Sequence, residues 1–105
     1  MATDTDKARL QETITEVLIE GGYASEMEAM RDLAITIALS KLHSHERECE
    51  RFRRKYGRSF EQMQRDVQRQ EAQEDFQVED DLLDWEYAWQ ALKHWQQRLD
   101  VLQNA

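Results

Sequence analysis

The segment "HSHERECE", residues 43–50, packs two histidines, one cysteine and three glutamates into eight positions. These are the residue types that bind transition metals. His43 and His45 are two apart and point to different sides of a helix, so they cannot share one ion there. His45 and Cys49 are four apart and face the same way. Zinc or iron would still need ligands from another helix, and the paired Glu-x-x-His motifs of di-iron bundles are absent. Without a metal, Cys49 is a small buried hydrophobe and His45 lies at the edge of a core. A metal-binding helical bundle built on His45 and Cys49 therefore stands as an alternative reading, and no cofactor is expected. The chain carries no Ser/His/Asp nucleophile arrangement, phosphate-cradling glycine loop or dinucleotide fingerprint. The expectation is a protein that is not an enzyme.

Charge is the next candidate for function. The chain has a formal net charge of −8, which argues against nucleic-acid backbone binding, since that needs lysines and arginines to displace counterions. It favours a basic protein partner. "RFRRKYGR" (51–58) is strongly basic, whereas "EAQEDFQVEDDLLDWE" (71–86) has acids and no basic residue. Such runs either form solvated faces that meet when the chain folds back or dock a partner of opposite charge. On the docking reading, Glu74, Asp75, Glu79, Asp80, Asp81 and Asp84 form the electrostatic surface.

These groups must be positioned by helices. The 105 residues suit one domain, and 34% charged residues, no proline and only three glycines describe a polar-surfaced helical protein. A single cysteine excludes an intramolecular disulfide and fits a reducing cytoplasm. The opening "MATDTDKARL" has no signal-like apolar run, and no segment approaches the roughly 20 apolar residues of a membrane span.

The spacing predicts an all-α, elongated hairpin or bundle of about four helices, near 5–20, 25–56, 59–74 and 79–103, in one domain spanning 1–105. Leu10, Ile14, Val17 and Leu18 line one side of the first helix, and Gly21 and Gly22 end it. Ser25 and Glu28 form a capping box for the second, which meets no breaker before Gly57 and so runs about 45 Å. In that helix Ile35, Leu42, Cys49 and Tyr56 repeat every seven residues like a coiled-coil seam. Met30, Leu33 and Ile37 lie on the opposite side, so residues 27–42 need cover on two sides, one from the first helix and one from the last helix or a second subunit. Ser59 and Gln62 cap the third helix, whose thin apolar content (Phe60, Met63, Val67) predicts a surface helix. In the fourth, Leu82, Trp85, Ala88, Trp89, Leu92, Trp95, Leu99 and Leu102 form a broad core face holding all three tryptophans. Leu83, Tyr87, His94 and Val101 form a narrower reverse stripe, a candidate contact surface.

"LQETITEVLIEGGYASEMEAMRDLA", residues 10–34, resembles the helical hairpin of ribbon-helix-helix antitoxins. The match rests on Gly21, Gly22, Tyr23, Ser25, Glu26, Met30, Arg31, Asp32 and Ala34. That family places a DNA-reading strand before the hairpin, but "MATDTDKAR" has neither the alternation nor the basic residues for one. The resemblance therefore implies dimerisation through the two helices, with Arg31 at least half buried, and neutralisation of a toxin by the following segment. The expected protein is a cytoplasmic, homodimeric, antitoxin-like module that binds a basic partner such as an RNase toxin; the alternatives are the metal-binding helical bundle and a structural coiled-coil adaptor.

Overall fold

The computed structural model describes residues 3–69 and 75–104. The fold is all-α, with four helices: α1 (Asp4–Glu20), α2 (Glu26–Tyr56), α3 (Phe60–Arg69) and α4 (Phe76–Asn104). There is no strand among the described residues. The second and fourth helices are the long ones, of 31 and 29 residues. The chain divides into two compact units, Met1–Thr36 and Ile37–Ala105.

In the first unit, Thr3 caps α1 through a complete capping box with Asp6. The Asp6 N–H donates to the Thr3 hydroxyl at 3.2 Å, and the Thr3 N–H donates to the Asp6 carboxylate at 3.3 Å. At the other end, the Tyr23 N–H reaches the Leu18 carbonyl and the Gly22 N–H reaches that of Ile19. This pair of bonds is a Schellman motif with Gly22 at the left-handed position. Its φ of 105° selects glycine there, whereas Gly21 is helical at φ −77°. Alanine at 22 is expected to weaken this helix end by about 1 kcal/mol and to speed hydrogen exchange at the Gly22 and Tyr23 amides. Equal exchange in Gly22→Ala and wild type would show that the motif contributes nothing.

Ser25 then caps α2, accepting the Glu28 N–H at 3.1 Å. The Glu28 carboxylate takes the Ala24 N–H at 2.7 Å, one residue before the amide expected from the capping-box pattern. The joint is as tight as the sequence implies, but the cover is thinner. No residue of α1 is buried, and Leu10, Ile14 and Val17 remain 61%, 44% and 57% exposed.

The second unit holds the aromatic core. Gly57, at φ 63°, ends α2, and Ser59 starts α3 with a full capping box: its hydroxyl accepts the Gln62 N–H, and the Gln62 side chain accepts the Ser59 N–H. The tight turn drives Phe60 and Met63 inward, against Phe52 of α2 and Trp85 of α4, and all four are buried. Trp85 is the hub. Its ring stacks 5.8 Å from Phe52 and 6.2 Å from Tyr56, and meets Phe60 edge-on at 5.8 Å.

Two expectations change here, on α3 and on the tryptophans, and the open question of cover for the seam is answered for two of its residues. Helix α3 is anchored in the core by Phe60 and Met63 and is more than a surface element. Of the three tryptophans only Trp85 is fully buried, while Trp89 and Trp95 are partly exposed. The seam residues Cys49 and Tyr56 pack on this intrachain core, so for them α3 and α4 supply the cover.

Candidate partner-binding surface

Helix α4 begins three residues earlier than the spacing predicts. Asp75 is its N-cap: the carboxylate lies 3.1 Å from the Gln77 N–H and 3.4 Å from the Val78 N–H, and the Asp75 carbonyl accepts the Glu79 N–H. A negative cap and the first-turn Glu79 both suit the positive end of the helix dipole. The early start adds Phe76 to the outer face, 70% exposed. Phe76, Leu83, Tyr87, His94 and Val101 then form one line, separated by seven, four, seven and seven residues. Phe76 was legible as the position one heptad before Leu83, but the acidic run around it reads as a joint.

The reverse stripe stays open, with Leu83, Tyr87 and Val101 at 64%, 73% and 68% exposure. His94 is exposed too and meets Trp95 edge-on at 5.2 Å. Beside the line, Glu79, Asp80 and Asp84 are exposed, and no cation precedes Lys93 on α4. A notch of about 310 Å³ opens next to Tyr87, walled by Ser44, His45, Glu48 and Asp84. Edge-on contact between the His45 and Tyr87 rings, 6.3 Å apart, holds one wall.

The expected acidic surface is therefore divided by task. Glu74 lies outside the described residues. Asp75 is engaged as the helix cap. Asp81 turns inward and is tied to the basic run, accepting from the Lys55 ammonium at 2.5 Å and from the Tyr56 hydroxyl at 2.5 Å. Among the described residues, the Lys55–Asp81 ion pair joins the basic and acidic runs, whereas Arg51, Arg53 and Arg54 pair locally with Glu48 and Glu50, and Arg58 pairs with Asp66. Glu79, Asp80 and Asp84 are left to face outward.

The Asp81 pairing makes stability depend on pH. Lys55, and then Tyr56, hold the Asp81 carboxyl below the usual carboxylate range. Its stabilisation is fully present above the unfolded value of about 3.9 and is lost as pH falls through the lower folded value. Burial first, and Asp81 second, raise the Tyr56 phenol to about 12, so its contribution is present below about pH 10 and is lost as pH rises through that folded value. Asp81→Asn is expected to flatten the stability loss below about pH 4, measured as urea midpoints across an acid series. An unchanged acid slope would show that the pair is not a stability determinant.

A larger hollow, about 980 Å³, lies on another flank of this unit, over Phe60, Trp85 and Trp89. Its rim carries three glutamates and four arginines, of which Arg53 and Arg54 pair with Glu50. Arg53 first, with Arg54, holds the Glu50 carboxyl at about 2, so that charge is committed to its neighbours. The candidate metal pair also has structural roles. Cys49 packs on the aromatic cluster, with its thiol pushed up by burial and by Glu48 and Glu46, and His45 walls the Tyr87 notch. Among the described residues no group of three or more His, Cys, Asp or Glu is placed to hold a metal ion, and no helix is long and apolar enough to cross a membrane. No protein-family model, curated protein or solved structure matches the chain.

Proposed function

We propose that the chain is a protein-binding, antitoxin-like module that neutralises a basic partner, such as an RNase toxin, through the outer face of α4. The observation that carries this reading is the exposed line of Phe76, Leu83 and Tyr87 flanked by the carboxylates of Glu79, Asp80 and Asp84. Apolar anchors inside a charged border are the arrangement expected of an interface in which charge speeds encounter and aromatic burial slows release. The notch beside Tyr87 suits an arginine or lysine of the partner, with a ring face on one side and the Asp84 carboxylate on another. A cytoplasmic location is the setting this reading carries over from the sequence.

The test is recovery of the partner from native cells with the full chain as bait. A basic protein should co-purify, and its binding should weaken with salt and with the triple change Glu79→Gln, Asp80→Asn, Asp84→Asn. Recovery of no basic protein, or binding unchanged by the triple change, overturns the proposal.

A further inference from the structure

The first unit poses a separate problem. Not one of its described residues is buried, although it presents Leu10, Ile14, Val17, Met27, Met30 and Leu33. Helices in folded proteins owe most of their stability to packing of an apolar face, and assemblies below about 40 residues usually need outside support. The exposed side chains border a groove of about 410 Å³ between α1 and α2, floored by Ile14, Leu18, Met30 and Leu33. Among the residues lining it, Glu26 and Asp32 are charged and none is basic. The Tyr23 hydroxyl donates to Asp32, which fixes that carboxylate at the rim.

We infer that this groove seats an amphipathic basic helix, with the apolar stripe of the incoming helix on the floor and its lysines or arginines against Glu26 and Asp32. Along α2 the groove spans residues 26–36, about 15 Å at 1.5 Å per residue, which matches roughly three helical turns. Met30 on the floor and Met27 nearby add unbranched, adaptable side chains of the kind that mould to helices of varied shape. Charge selects this occupant over a second copy of the chain. Residues 1–36 carry eight carboxylates against three cations, a net −5, so a second copy would bring the same sign to the rim. The inference rests on the reading of the chain as a binder of basic protein, but the groove and the outer face of α4 are separate surfaces that can fail separately.

The probe is a fluorescent synthetic peptide of about 15 residues, with leucines at helical spacing and lysines beside them, compared with a twin carrying glutamates in place of the lysines. The full chain is expected to bind the lysine peptide about ten-fold or more tightly than the glutamate twin, with the gap closing as salt rises. Leu33→Glu, at a site 61% exposed, should keep its helical circular dichroism. It should weaken lysine-peptide binding about ten-fold despite its added negative charge, because a leucine-filled seat is lost. Gln68→Ala, exposed on α3 and outside both surfaces, should leave that binding unchanged. Equal binding of the two peptides overturns the inference, as does lysine-peptide binding that survives Leu33→Glu. Sedimentation of the chain as a dimer that Leu33→Glu splits gives the groove to a second copy and overturns it too. A native basic partner that ignores Leu33→Glu but fails on Tyr87→Ala overturns the groove alone, and the converse overturns the α4 surface alone.

Discussion

Replacing Trp85 with alanine is expected to destabilise the second unit by about 3–5 kcal/mol, the usual range for deleting a large buried aromatic side chain. Trp85, on α4, is 2% exposed, and α2 and α3 converge on its ring through Phe52 and Tyr56 and through Phe60. Removing it takes away the transfer energy of the indole and leaves a void that three helices would have to collapse together to fill. Domains of this kind are stable by about 5–15 kcal/mol in total, so one substitution takes a large share. With a urea slope of about 1–3 kcal/mol per molar, the midpoint should fall by more than about 1 M. Trp95→Ala is the internal control. Trp95 is only partly buried and lies outside the cluster around Phe52 and Trp85, so its loss should cost clearly less. Equal midpoint shifts for the two variants would mean that the aromatic cluster is not the centre of the fold.

The contrast between those tryptophans marks how far sequence reasoning reaches. Periodicity put Trp85, Trp89 and Trp95 on one face of a helix, because face is a local property. Which of them is buried depends on where α3 lands, and that is set by the turn at Gly57 and Ser59 and by Phe60 immediately after it. The capping box at Ser59 was readable in "SFEQ", but the inward direction of Phe60 was not. Local hydrogen-bond chemistry was legible at two joints, where Gly22 ends one helix and Ser25 and Ser59 start the next two, but not at Thr3 or at Asp75, which cap α1 and α4. Asp81 shows the opposite case. Within "VEDDLLD" it is one carboxylate among several, and only packing brings it to Lys55 and Tyr56, 26 and 25 positions away. Helix α1 shows the limit from the other side. Its stripe of Leu10, Ile14 and Val17 predicts burial, yet these residues remain exposed because pattern states what a face needs and not which molecule meets the need.

Tyr87→Ala is expected to weaken binding of the proposed basic partner by about 2 kcal/mol, roughly thirty-fold, and to do so mainly by faster dissociation. The ring is 73% exposed, so the chain has little to lose in stability and the effect can be assigned to the interface. It lies between Leu83 and the notch walled by His45 and Asp84, where one side chain can contribute both apolar area and a cation-accepting face. Asp80→Asn and Asp84→Asn should behave differently. These carboxylates border the line, so their loss should slow association and reduce the salt dependence, with a smaller change in dissociation rate. Asp81 has to be left intact in such a series, since its bonds to Lys55 and Tyr56 would mix a folding effect into the binding result. Surface-binding kinetics at two salt concentrations separate the roles: Tyr87 should act on the off-rate and Asp80 and Asp84 on the on-rate. If Tyr87→Ala dissociates as slowly as the parent chain, the apolar line is not the anchor, and attraction to the outward carboxylates would have to account for the affinity by itself.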